Sequence, residues 1–296
     1  MLFVKFLSRL PAPLMYLVSD ILYFITCYII RYRHKVVTRN LEIAFPEIPK
    51  ESRKKIMKGF YRNFSDVLVE SLMAISMKKE EMVRRVTFSN IDQLEDCKSR
   101  GLSSVFLATH QCNWEWMLMS GTVQFPYHII GVYKPLKNKS MDELMISTRS
   151  RFGTEMIQTN RIVRNIAMHR KDVRGIGLIG DQRPRLGGKK LWHDMFGKPT
   201  AFFPGIEAVP KMENSAVFMA RMVRVRRGHY HLDMIKLCEP PYSKNPESTE
   251  IISKYVDELE SVIQENPSDW LWSHNRWKYS KEEAASYDRQ YEKGKN

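Results

Sequence analysis

Residues 103–116 read Ser103-Ser104-Val105-Phe106-Leu107-Ala108-Thr109-His110-Gln111-Cys112-Asn113-Trp114-Glu115-Trp116. The first half is rich in strand formers. Met117-Leu118-Met119 carries the second half on into what reads as a helix. A histidine and a glutamate five positions apart thus bracket a polar turn where a strand hands over to a helix. Outward from there, strand-like runs at 129–133, 154–158, 175–180, 216–225 and 230–237 alternate with helical spacing over 114–124, 140–151, 161–169 and 205–213. Such alternation predicts an α/β fold with a central, mostly parallel sheet flanked by helices on both faces. The hairpin signal Arg226-Arg227-Gly228-His229 adds an antiparallel part, so the sheet is mixed. Upstream, Ile56, Phe60, Phe64 and Leu68 fall at helical spacing within 51–77.

In open sheets of this kind, sites form beyond the carboxyl ends of the strands. His110 stands at one such end, Asp181 at a second and Lys134 at a third. Histidine can take and return a proton near neutral pH. It acts as a base when one ring nitrogen is free and a carboxylate holds the other as N–H. A glutamate on the first turn of the next helix, Glu115, could fold back to do this, and the helix N-terminus favours its charge. Exposed amides of that turn could support an oxyanion. No activated serine or cysteine stands beside the pair, so the nucleophile is expected to be a substrate hydroxyl that attacks a thioester, acyl transfer without a covalent enzyme intermediate. A competing reading, zinc held by His110, Cys112 and Glu115, lacks a second cysteine or histidine cluster in register.

A formal net charge of +14 over 296 residues suits an anionic partner: nucleic acid, phosphorylated lipid, an acidic protein or a membrane surface. Aromatic residues do not interleave with the basic runs, and no helix-turn-helix or RNP-like motif occurs, which argues against nucleic acid. Cys27, Cys97, Cys112 and Cys238 show no paired spacing, so neither a disulfide framework nor a zinc finger is expected.

Residues 10–30 contain one formal charge, Asp20, and as a helix would be about 30 Å long, a bilayer core's thickness. Basic residues on both flanks leave orientation open, and no cleavage site follows. Ser19, Asp20, Tyr23, Thr26 and Cys27 lie on one helical stripe. The expectation is therefore a helix that lies in or dips into the membrane with that stripe against the protein body, the alternatives being a simple single span and a buried core helix. Residues 1–35 are read as this anchor and 36–296 as one further domain.

The chain resembles the lysophospholipid-type acyltransferases, and within them the lipid A biosynthesis acyltransferases of bacterial inner membranes. The likeness rests on Arg39-Asn40-Leu41, Ala44-Phe45-Pro46-Glu47, His110 with Asn113-Trp114-Glu115, Tyr133-Lys134-Pro135, Asp181-Gln182, Phe196-Gly197-Lys198-Pro199-Thr200 and the ending from Trp270 to Lys278. It implies a glycerolipid-acyltransferase-like fold and His110 and Glu115 as the catalytic dyad. It further implies Asp181 at a site position, and Lys134 where arginine is frequent, a swap that keeps charge but loses bidentate binding. The implied donor is a thioester on acyl carrier protein or CoA. The implied acceptor is a phosphorylated glucosamine lipid A precursor on the cytoplasmic side of the inner membrane. Arg149, Arg151, Arg164 and Arg183 become candidate phosphate contacts, the alternative being surface cations at helix ends. A monomer without cofactor or metal is expected. Related enzymes acylate glycerophospholipids, phosphatidylinositol mannosides or amino-acid lipids, which keeps a second acceptor class open.

Overall fold

The computed structural model describes residues 2–245 and 248–293. Its strands are β1 (Val86–Ser89), β2 (Ser104–Ala108), β3 (His128–Tyr133), β4 (Glu155–Gln158), β5 (Arg174–Ile179), β6 (Leu191–Met195), β7 (Lys198–Phe202), β8 (Ala216–Arg226) and β9 (His229–Cys238). The helices are α1 (Leu2–Leu7), α2 (Ala12–Phe24), α3 (His34–Ala44), α4 (Lys50–Met73), α5 (Lys79–Arg85), α6 (Asp92–Ser99), α7 (Trp114–Gln124), α8 (Lys139–Arg149), α9 (Ile162–Met168), α10 (Gly205–Glu213), α11 (Glu250–Glu265) and α12 (Lys281–Lys293).

Seven strands form one sheet in the order β1-β9-β8-β2-β5-β3-β4, and β6 and β7 form a separate hairpin. The strands from β8 to β4 run parallel, and the β8–β9 hairpin reverses the edge formed by β9 and β1. This is the mixed α/β sheet the sequence pattern predicts. β2 lies in its middle and is buried along its whole length. Its side chains alternate between two cores: Val105 and Leu107 pack with α9, α10 and α11, while Phe106 and Ala108 pack with α4 and α7. A strand covered on both faces needs no polar side, which is why this stretch is a continuous apolar run.

Some elements go beyond the expected set. β1, the β6–β7 hairpin and α11 do not figure in it. The turn at Phe196-Gly197 has both residues at positive φ, the geometry a two-residue hairpin requires. α11 buries Ile251, Ile252, Tyr255, Val256, Leu259, Val262 and Ile263 as one amphipathic face.

The N-terminal segment packs tightly on the rest. Met15 is in the core, Ser19 donates to Asp66 Oδ1 at 2.6 Å, and Asp20 accepts from Arg227 at 2.8 Å. Gly228, in the β8–β9 turn at φ +71°, lies so near Tyr16 that a Cβ there would overlap the tyrosine hydroxyl. The polar stripe thus turns toward the body at Ser19, which is buried, while Asp20 stays exposed and pairs with Arg227 at the rim. Leu14, Leu17, Val18, Ile21, Phe24, Tyr28, Ile29 and Ile30 are exposed on the other side. The run Ala12–Ile29 is long and apolar enough to cross a membrane.

Candidate active site

β2 and β5 are neighbours in register, with Leu107 opposite Leu178 and Ala108 opposite Ile179. Two residues further along each strand come His110 and Asp181. Adjacent parallel strands therefore deliver a histidine and a carboxylate to the same level, and the two meet. His110 Nδ1 lies 2.6 Å from Asp181 Oδ1, and the backbone N–H of His110 donates to Oδ2 at 2.7 Å. The indole N–H of Trp270 donates to the same Oδ2 at 2.8 Å. Gly180 permits the close approach of α10, since a Cβ there would meet Ile206 at 2.7 Å.

The Asp181 side chain is almost wholly buried, whereas that of His110 is 17% exposed. Burial pushes the Asp181 carboxyl up, but the facing His110, its N–H and the Trp270 indole outweigh this and hold it below its ordinary value. A carboxylate at Oδ1 requires the proton on Nδ1. That leaves Nε2 as the basic nitrogen, which faces the Gln182 side-chain amide at 3.1 Å.

Glu115 is differently engaged. Its two oxygens accept from Arg149 Nε and Nη2 at 2.8 and 2.6 Å, a bidentate pair between the first turn of α7 and the last turn of α8. Asp181 thus takes the contact with Nδ1 that the sequence reading assigned to Glu115. The reason is reach along the chain: Glu115 is on the helix that leaves the strand end, whereas Asp181 arrives on the adjacent strand.

The turn between His110 and α7 is held from several sides. Gln111 bridges to Trp270, Leu271 N–H donates to His110 O at 3.0 Å, and Cys112 N–H donates to Asp269 O at 3.0 Å. Cys112 has φ +52°, and its buried thiol donates to Met222 O at 3.5 Å. With Cys112 turned there and Glu115 on Arg149, the three side chains of the zinc reading do not converge. Asn113 caps α7 by accepting from Trp116 N–H at 2.9 Å, which spends one of the first-turn amides. Its own amide donates to Glu70 Oε2 at 2.7 Å, and Glu70 also accepts from Tyr230 and Tyr16 hydroxyls at 2.6 and 2.9 Å. Burial pushes the Glu70 carboxyl up. The sequence reading missed Glu70, although an acid inside Val67-Leu68-Val69-Glu70-Ser71-Leu72-Met73 was a visible signal.

The other expected cations are dispersed. Lys134 is exposed just past β3, and Arg164 is exposed on α9. Arg151 donates to Ala74 O at the end of α4, a structural contact. Arg183 lies next to the site: its N–H donates to His274 Nε2 at 3.2 Å and its Nε donates to Asn275 O at 3.0 Å. Burial pushes His274 down to about 4, so it serves as a neutral acceptor. Arg276 is buried over the Phe202 ring at 4.3 Å and donates to Ala201 O at 2.7 Å.

Residues 1–279 match the family described as bacterial lipid A biosynthesis acyltransferase. The chain belongs to this family. It is thus an O-acyltransferase. It is 23% identical to the Escherichia coli K12 lipid A biosynthesis lauroyltransferase over 295 residues, which cover 94% of this chain and 90% of that one. It is 21% identical to the E. coli K12 lipid A biosynthesis palmitoleoyltransferase over 273 residues, 91% of this chain and 87% of the relative. A Haemophilus influenzae lipid A biosynthesis acyltransferase is 21% identical over 255 residues, 84% and 77% of the two chains. In this acyltransferase the strand-end histidine and the charged pairs around it form the candidate catalytic centre.

Proposed function

We propose that the enzyme moves a fatty acyl chain from a thioester, carried by acyl carrier protein or CoA, to a hydroxyl of a lipid A precursor at the cytoplasmic face of the bacterial inner membrane. The observation that carries the mechanism is the double contact of Asp181 with His110, which fixes the ring and its tautomer. The acceptor hydroxyl displaces Gln182 from Nε2 and gives its proton to His110 as its oxygen attacks the thioester carbonyl. Collapse of the tetrahedral intermediate breaks the C–S bond, and the imidazolium returns the proton to the departing thiolate. Asp181 stabilises that imidazolium. Glu115, held by Arg149 on the first turn of α7, is the second carboxylate near the developing charge and the family-implied partner of His110. The Trp114 and Glu115 amides are the first-turn donors left for the oxyanion, because Trp116 N–H is spent on Asn113.

Lys134, Arg164 and Arg183 are proposed to meet phosphates of the acceptor or donor. The apolar face of α2, with basic residues on both sides, is proposed to rest in the membrane, which brings a lipid acceptor to the strand ends. The test is mass spectrometry of the product formed when purified enzyme receives acyl carrier protein thioesters and lipid A precursor. A gain of one acyl chain that disappears with His110→Ala supports the reading, and an unchanged precursor refutes it.

A further inference from the structure

Away from His110, a cavity of about 410 Å3 opens between the π-helical turn Ile25–Ile29, α3 and α4. Cys27, Leu41 and Met57 contribute apolar wall, and Arg31, Lys50 and Lys58 contribute cations. Two further cations on the wall are already used. Arg53 donates to the carbonyls of Phe45, Pro46 and Ile48, and Lys54 pairs with Glu51 at 2.7 Å. Arg31, Lys50 and Lys58 have no ion-pair partner among the described residues, and Glu42 is the one acid on this wall. Like charges around a half-apolar hollow repel each other until an anion enters.

The turn that presents Arg31 is fixed to the body. Arg31 and Arg33 both have positive φ, Tyr61 donates to Tyr32 O at 2.7 Å, and Arg33 donates to Ser273 O at 3.1 Å. Directly before it lie Phe24, Tyr28, Ile29 and Ile30, all exposed. Cations around a concave apolar floor, next to an exposed apolar helix, match a lipid that has a charged head and a hydrocarbon tail. An acidic protein surface would call for cations on an open face.

We infer that this cavity binds one anionic glycerophospholipid drawn from the bilayer. Its phosphate sits among Arg31, Lys50 and Lys58, and its glycerol and the start of one chain lie on Cys27, Leu41 and Met57. The inference rests on the reading that α2 meets the membrane, and on nothing in the acyl-transfer chemistry.

The test is native mass spectrometry of the full chain released from neutral detergent with phosphatidylglycerol or phosphatidylcholine. The expected result is one retained phosphatidylglycerol. Retention should fall about 100-fold in Arg31→Gln/Lys50→Gln/Lys58→Gln, at about fivefold for each cation near the surface. Thr38→Phe fills the hollow without changing charge and should also abolish retention. Lys171→Gln/Lys244→Gln/Lys281→Gln removes equal charge elsewhere and should leave retention intact. The inference is overturned by equal retention of the two lipids, by undiminished retention in Thr38→Phe, or by displacement with inorganic phosphate, acyl carrier protein or lipid A precursor. Enzyme that floats with vesicles yet retains no phosphatidylglycerol also overturns it, while leaving the membrane reading of α2 standing.

Discussion

Asp181 grips His110 at two points, Oδ1 on the ring Nδ1 at 2.6 Å and Oδ2 on the backbone N–H at 2.7 Å. A single carboxylate therefore sets both where the ring stands and which nitrogen bears the proton.

Asp181→Asn tests that grip. An amide of nearly the same size can present NH2 to Nδ1, impose the wrong tautomer and remove the charge that stabilises an imidazolium. We expect kcat to fall on the order of 10^3 to 10^4, with KM for the thioester changed less than about tenfold. Steady-state kinetics decide. Turnover near that of the parent enzyme would remove Asp181 from the mechanism.

Glu115 can be assigned by coupling. If it acts together with Arg149, then Glu115→Gln and Arg149→Gln each lower kcat by about 10^2 or more, and the double mutant is little worse than the worse single. Each single change leaves the other, largely buried group without its counter-charge, Glu115 being the more buried of the two. If Glu115 instead works directly on His110, the non-additivity appears between Glu115→Gln and Asp181→Asn, as for residues that act as one unit.

His274 makes stability depend on pH. Its folded value is lowered to about 4, first by burial, against about 6.5 when unfolded. Between these values the unfolded chain binds the additional proton, so stability is fully present above about pH 6.5 and declines as pH falls toward 4. The loss approaches ~3 kcal/mol. His274→Gln keeps an acceptor for Arg183 N–H and removes the titration. The difference in Tm between parent and variant should thus change steadily over pH 6.5 to 4, and a constant difference would contradict the assignment.

The exposed face of α2 separates membrane binding from folding. Leu17→Glu/Ile21→Glu places two charges on side chains that are 57% and 53% exposed, away from the Asp66 and Glu70 contacts. We expect vesicle flotation to drop several-fold while Tm stays within a few degrees, since surface changes of this kind usually cost under about 0.5 kcal/mol. Deletion of residues 1–30 should behave differently. It strips Tyr16 and Ser19 from the buried carboxylates of Glu70 and Asp66, so the remaining chain should melt earlier as well as leave the membrane.

Local chemistry made much of this protein readable from its sequence. Helical spacing over 114–124 and 205–213 was plain in the residues themselves, and the α7 and α10 bounds match those expected residue for residue. The reversed β8–β9 edge follows from a two-residue turn at Arg227-Gly228. His110, Asp181 and Lys134 were recognisable as strand-end residues because strand ends carry sites in such sheets. Two more elements had usable signals. The β6–β7 hairpin flanks Phe196-Gly197 with five residues on each side, and Ile251, Tyr255, Leu259 and Ile263 repeat every fourth position in α11. What tertiary structure alone decided was partnership. Strand order β8-β2-β5 and its register bring together His110 and Asp181, 71 positions apart, while Glu115 turns to Arg149. The same packing brings Trp270 to Asp181, and Glu70 to Asn113, Tyr16 and Tyr230. The physical reason is that periodicity and turn chemistry act over a few residues, whereas a buried charge takes whichever partner the folded layers set within about 3 Å.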